Sequence, residues 1–285
     1  MANIDLFVCV TSDTIIYAEF VKKISSLFLS GNHKINWKCI YSGGVKKQID
    51  GYEHIGTAEK CKNCPSMSHG KALNKAFKRS KENYVIMMDS DIVFLYQGWD
   101  DIVVKNLDIG NTAFGVSSPS IINRHQNFPF IYCFCYRVDL LNNISLDFRP
   151  RINASNRIKF STICSDYEKE VTGLQIGSRF RWETSSRIPF IFYDNNFKNK
   201  SLKCILGNDR KAKLPFLNDH SKKKYLKVLM ESKAKKEYME EWHWDNKLFA
   251  THLRVSISNN FNNEYTQHWI ERIRLYIKKR YGKIL

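Results

Sequence analysis

The stretch Tyr84-Val85-Ile86-Met87-Met88-Asp89-Ser90-Asp91 is a short apolar run that stops on two carboxylates one residue apart. Its length and its lack of polar alternation suit a strand covered on both faces. In an open α/β sheet, ligands bind in the crevice outside the carboxyl ends of the strands, so Asp89 and Asp91 would stand at a ligand-binding edge. Hard oxygen donors placed there suit Mg²⁺ or Mn²⁺, above all a cation that also holds a phosphate. Taken alone, the same pattern reads more simply as a strand ended by an Asx turn.

The segments in front of it supply a context. Ile4 to Val10 reads as a first strand, and Thr11-Ser12-Asp13 can cap a helix running to about Leu29, where Ser30-Gly31-Asn32 stops it. Ile35 to Tyr41 reads as a second strand closed by Ser42-Gly43-Gly44, and Lys46 to Pro65 as loop. Ser68 then caps a helix to about Ser80, with Ala72, Leu73, Ala76 and Phe77 on its buried stripe. The order β-α-β-loop-α-β is a nucleotide-binding half of a doubly wound sheet.

Behind it, Gly98-Trp99-Asp100-Asp101 opens a short helix, and Thr112 to Val116 and Phe128 to Arg137 read as strands. Ser165-Asp166 precedes a helix ending near Gly173, and Phe180 to Tyr193 reads as strand and loop. From Lys198 the composition turns to Lys, Asn and Glu, giving a basic helical region to about Trp244. A last helix, Glu264 to Tyr281, carries Trp269, Ile270, Ile273, Tyr276 and Ile277 as a packing stripe, with Arg272, Arg274, Lys278 and Lys279 opposite.

The chain has 285 residues, 45 Lys plus Arg against 28 Asp plus Glu, and a net charge of +17. That excess favours a polyanionic partner, although an A/T-rich genome would also inflate Lys and Asn. No apolar run reaches the ~20 residues of a membrane-spanning helix, so a soluble, cytoplasmic protein is expected. The eight cysteines are scattered, with Cys9, Cys39, Cys133 and Cys135 inside apolar runs, as reduced core thiols would be. Cys61-x-x-Cys64 with His54 and His69 is a weak zinc pattern, because no second pair accompanies it.

Gly70-Lys71-Ala72-Leu73-Asn74-Lys75-Ala76, followed at the right distance by Asp89-Ser90-Asp91, resembles the Gly-x-Ala-x-Asn helix and metal strand of the GT-A glycosyltransferases, in particular the inverting family-2-type enzymes. Ser165-Asp166-Tyr167-Glu168 with Val171 to Ile176 is similar to that family's later acidic segment, although Ser165 replaces the usual Glu. Phe249-Ala250-Thr251-His252-Leu253-Arg254 resembles its C-terminal histidine segment. The resemblance covers roughly Ile4 to Ile176, and beyond that the His252 segment.

The resemblance implies a Rossmann-like mixed sheet flanked by helices, with a GT-A catalytic domain over 1–197 and a basic, mainly helical extension over 198–285 that contributes His252. It implies a metal site of Asp89, Asp91 and His252 holding Mn²⁺ or Mg²⁺, and a nucleotide-sugar donor, expected to be a UDP-sugar. Thr11, Ser12, Ser42, Asp50, His69, Gly70, Asn74 and Asp89 would line the donor, and Asp166 would be the general base, with Glu168 in reserve. The acceptor suggested by the charge is DNA with hydroxymethylated bases, as in bacteriophage genomes, contacted by Lys198 to Lys236 and the last helix. A polysaccharide, lipid-linked or protein acceptor stays open, as does a non-catalytic nucleic-acid-binding protein. A nucleotidyltransferase would want a third metal carboxylate, which is not evident.

Overall fold

A computed structural model describes residues 1–43, 47–61, 64–118, 127–141, 143–151, 163–174, 181, 183–206, 239–253 and 264–282. The strands β1 (Asn3–Val10), β2 (Lys34–Ser42), β3 (Glu53–Ala58), β4 (Tyr84–Asp89), β6 (Ala113–Val116), β7 (Cys133–Arg137) and β8 (Asn199–Leu202) form one sheet in the order β3-β2-β1-β4-β7-β6-β8. β1 to β4 run parallel, β7 lies antiparallel between β4 and β6, and β8 is parallel to β6. Among the described residues six α-helices accompany them: α1 (Ile15–Ser26), α2 (Pro65–Arg79), α3 (Trp99–Asp108), α4 (Asp166–Thr172), α5 (Ile188–Asp194) and α6 (Glu264–Tyr281). The fold is thus the expected mixed α/β architecture. The chain steps from β1 out to β3 and returns to the other side of β1 as β4, so the sheet has its switch point between β1 and β4.

β4, parallel to β1 on one side and antiparallel to β7 on the other, is buried through Val85, Ile86, Met87 and Met88, as an apolar run at the centre of a sheet should be. The chain then turns at Ser90-Asp91 and enters β5 (Ile92–Phe94), which belongs to a second, antiparallel sheet of order β5-β11-β10-β9 with β9 (Cys204–Leu206), β10 (Met239–Trp244) and β11 (Lys247–Leu253). The Asp-Ser-Asp turn is therefore the corner where the chain leaves one sheet for the other. Aromatic rings join the sheets: Phe94 stacks on Trp99 at 4.2 Å, and Phe249 stands 5.5 Å from Phe94 and 6.1 Å from Phe114.

α6 closes over β11 and α1. Trp269 donates to Thr251 Oγ1 at 3.2 Å, Tyr17 and Thr266 share a hydrogen bond of 2.9 Å, and Tyr281 donates to the Leu95 carbonyl at 3.0 Å. Ile273 and Ile277 are buried, each contributing ~1.5–3 kcal/mol of apolar burial, so the helical stripe is core packing as read. Arg272 departs from the expected solvent face, because it reaches Glu241 of β10 as an ion pair.

Several local expectations are corrected. The presumed loop before Pro65 contains β3, an edge strand whose half-exposed pattern offers little apolar alternation to read. α2 begins at Pro65, where the missing N–H costs nothing, and Ser68 instead accepts from the Cys61 N–H at 2.6 Å. Ile188–Asp194 is helix rather than strand, again opened by a proline in its first turn. The helix expected to run to Trp244 is absent over Met239–Trp244, where cross-strand pairing with β11 makes β10; residues 207–238 of that basic region lie outside the described residues. β8, just past residue 197, belongs to the large sheet, and the described residues that follow it are three further strands and one helix. Parts of two other motifs, 175–176 and 254, also lie outside the described residues. No helix among the described residues is long and apolar enough to cross a membrane.

Candidate functional site

The site is assembled by register. Cys9 of β1 stands opposite Asp89 of β4, which brings the end of the first strand to the carboxylates at the switch point. On the other side of the corner, Ile92 of β5 pairs with His252 of β11, and the Leu253 N–H donates to the Asp91 carbonyl at 3.0 Å. Antiparallel pairing of β5 with β11 thus carries a histidine from the far end of the chain to Asp91.

The ligand atoms of Asp89, Asp91 and His252 all lie within 4.8 Å of one another. His252 Nε2 is 3.2 Å from Asp91 Oδ1, and Asp91 and His252 are both buried while Asp89 is partly open. Burial pulls the imidazole's pKa down, but the carboxylates of Asp91 and Glu240 outweigh it and hold His252 up at about 10. Two carboxylates and one imidazole around one point, with one acid facing the crevice, fit a hard divalent cation. His69, in the first turns of α2, places Nε2 3.5 Å from Asp89 Oδ1; burial lowers its pKa to about 4 against the pull of Asp91.

Other expected residues divide. Ser42 hydrogen-bonds the Cys9 thiol, whose pKa burial and then the Asp89 charge push well up, so Ser42 and Cys9 lie beside the carboxylates. Thr11 follows β1; its N–H donates to Thr14 Oγ1 at 2.9 Å, and Ser12 is exposed beside Asp13. Asp50 is exposed, and its charge acts on Lys22 of α1.

Gly70 and Asn74 meet the segment Asp147 to Arg149. Asn74 donates to Asp147 Oδ1 at 3.0 Å and accepts from the Phe148 N–H at 2.7 Å, while a Cβ on Gly70 would lie 2.6 Å from the Phe148 carbonyl oxygen. The Gly-x-x-x-Asn face of α2 is a cradle for the Asp147 to Arg149 backbone. Asp147 is held in turn by Arg149 and Arg187, with its pKa down at about 2: burial opposes this, but the Arg149 and Asn74 hydrogen bonds prevail. Gly70→Ala should cost ~1–3 kcal/mol in urea denaturation, because the clash is with backbone that cannot rotate away. An unchanged denaturation midpoint would mean that this segment is not clamped.

Asp166 is not brought into the cluster. It opens α4 almost fully exposed, paired with Lys169 at 2.7 Å, and that lysine lowers its pKa. Glu168, the reserve acid, is buried: it completes a capping box with Ser165 and is gripped by Arg181 and Arg151. Cys61 and Cys64 belong to neither of the groups that could hold an ion among the described residues. The second such group, His33, Asp100 and Asp101, is a mutual tie between the α1–β2 turn and α3: Asp100 accepts from the Ser30 N–H and hydroxyl, and His33 Nε2 meets Asp101 at 3.0 Å.

Sequence reading missed Glu240, whose Oε2 lies 2.9 Å from His252 Nδ1, and Tyr132, whose ring centroid is 4.4 Å from that of His252. Glu240 sits in a Lys/Glu-rich run that mimics a solvated helix, and only its register opposite His252 reveals it.

No protein-family model and no curated protein sequence matches the chain. Among solved structures it is similar to the mannosyltransferase PcManGT from Pyrobaculum calidifontis in complex with GDP-Man and Mn²⁺, at 12% identity and TM-score 0.37 over 49% of this chain and 45% of that one. It is similar also to S. aureus TarS 1-349 in complex with UDP-GlcNAc, at 13% identity and TM-score 0.37 over 51% of this chain and 48% of that one. A third, the galactosyltransferase LgtC in complex with donor and acceptor sugar analogues, gives 10% identity and TM-score 0.36 over 47% of this chain and 57% of that one. The chain thus spans 45%, 48% and 57% of the lengths of these three proteins, and at such scores any functional reading rests on the residues themselves.

Proposed function

We propose that this chain is a divalent-metal-dependent glycosyltransferase of the GT-A kind, moving a sugar from a nucleotide-sugar donor to an acceptor hydroxyl. One observation carries the reading: Asp89, Asp91 and His252 converge within 4.8 Å at the crevice where the parallel sheet switches direction. Asp91 and His252 would hold the cation from the buried side and Asp89 from the open side. When bound, Mn²⁺ or Mg²⁺ supplies charge neutralisation of the departing diphosphate without a proton transfer. The chain's own residues do the rest. Thr11, Ser12, Ser42 and Cys9, following or ending the first two strands, form the wall for base and ribose of a UDP-sugar, and His69, 3.5 Å from Asp89, stands beside that carboxylate. The buried floor under Asp91 excludes water from the inner side.

An inverting transfer needs a carboxylate to take the proton of the attacking hydroxyl. Asp166 is assigned that task. Glu168 is spent on two arginines, whereas Asp166 stands in solvent with one lysine. Asp166→Asn should lower the transfer kcat by ~10²–10⁴-fold with donor KM unchanged; equal transfer rates would remove it from the chemistry.

The net charge of +17 favours a polyanionic acceptor, and hydroxymethylated DNA carries both the charge and a primary hydroxyl. The deciding experiment is a screen of UDP- and GDP-sugars with Mn²⁺ against hydroxymethylated and plain DNA, read as nucleoside diphosphate release and as added mass on the DNA. Release without DNA labelling would keep the transferase and discard the DNA acceptor. No release from any donor would discard the transferase.

A further inference from the structure

β10 carries two adjacent acids, and strand alternation sends them to opposite faces. Glu241 meets Arg272 of α6, an ion pair that fastens the helix to the sheet. Glu240 turns the other way, 1% exposed, directly opposite His252 in the β10–β11 register, with Oε2 2.9 Å from Nδ1. Taking a carboxylate out of water costs several kcal/mol unless a charged or hydrogen-bonding partner compensates. The residue it meets is one whose other nitrogen, Nε2, faces Asp91 at 3.2 Å.

We propose that Glu240 is a positioning residue for the cation site. By accepting from the Nδ1 proton it fixes that nitrogen as the donor, so that Nε2, which faces Asp91, is the nitrogen left to give up its proton and turn a lone pair to the divalent ion. The ring has little freedom to turn otherwise: Tyr132 lies against it at 4.4 Å between centroids, and Trp242, two residues along β10 on the same face, lies at 6.4 Å. Glu240 touches neither donor nor ion; it acts through the imidazole, adding negative charge behind it and raising its basicity as a ligand. This inference rests on the metal-site reading above.

The test compares Mn²⁺ affinity, measured by the electron paramagnetic resonance signal of free Mn²⁺ with no nucleotide present, in the wild type, Asp91→Asn, Glu240→Gln and Glu240→Ala, with thermal melting run alongside. Glu240→Ala is expected to bind Mn²⁺ ~10–100-fold more weakly, the usual cost of losing a carboxylate behind a ligating histidine. Glu240→Gln should fall between, since its amide oxygen still accepts from Nδ1 but brings no charge; it also carries the test if the alanine variant does not fold. A strand-to-strand salt bridge with no role at the ion would lower the melting temperature and leave Mn²⁺ affinity as in the wild type. That result, with Asp91→Asn still abolishing binding, overturns the role of Glu240 and leaves the metal site standing. Wild-type protein that binds no Mn²⁺, or Asp91→Asn that binds it unchanged, overturns the metal site and this inference together.

Discussion

If the proposed metal-dependent transferase reading holds, Asp91→Asn is expected to lower Mn²⁺-dependent hydrolysis of the donor sugar nucleotide by ~10²–10³-fold or more in kcat, the scale on which loss of one preorganised charge-stabilising group is felt. The side chain is buried at the inner end of the site, where an amide of the same shape keeps the packing but supplies no charge to a cation or to His252. His252 keeps Glu240 as its partner, so the variant should fold. Without the Asp91 charge, the histidine's pKa falls from its present value of about 10, which a proton NMR titration would register independently of activity. Ser90→Ala, at the same corner but with no charge to lose, is the control and should retain hydrolysis. If Asp91→Asn hydrolyses donor as the wild type does, the carboxylate corner is only a turn between sheets.

The largest stability effect belongs to Asp5. Its carboxylate is fully buried in β1 and lies 2.7 Å from Lys38 Nζ of β2, itself only 4% exposed, and it also accepts from Asn36 and from the Lys81 N–H. Asp5→Ala leaves the Lys81 N–H without its acceptor and the buried Lys38 ammonium with only the more distant, exposed Glu53 carboxylate at 3.8 Å, a loss of ~3–5 kcal/mol in urea denaturation. The paired replacement Asp5→Leu with Lys38→Met should recover most of that loss, because it removes both charges together. Burial would raise the Asp5 pKa, but Lys38, the Lys81 N–H and Asn36 bring it below its ordinary 3.8. The sign follows: the contribution is complete above that pH and disappears as falling pH protonates the folded carboxylate. A single-variant loss under 1 kcal/mol would show that water reaches the pair.

What could be read from the residues alone follows how local each signal is. β4 announces itself, since a buried parallel strand is a continuous apolar run and its end is marked by the acids it cannot bury. β3 does not, because an edge strand is half exposed and needs no such run. The capping box of α4 was written in Ser165-x-x-Glu168, a spacing that assigns Glu168 to the backbone and leaves Asp166 outside, yet the eye goes to the acid beside the serine. Gly70 and Asn74 carry a motif legible as a motif and illegible as a role: their partner, the Phe148 backbone, is distant in sequence and apolar in name. His252 was visible only through resemblance, and Glu240 not at all, because cross-strand register in a long-range antiparallel pair leaves no periodic trace in either strand.

The corner at Ser90-Asp91 also orders events in time. Asp89 and Asp91 are made with the first half of the chain, whereas the histidine and glutamate that complete them lie on a hairpin made near the end. At ~5–20 residues per second of synthesis, the parallel sheet can form while its two acids still face water with nothing to share. On the metal-site proposal above, a nascent chain would lack His252 and Glu240, and the cation site would be completed only when β11 pairs with β5. Slow, non-local strand pairing, ordinarily a kinetic burden, would then set the moment at which the proposed site becomes whole.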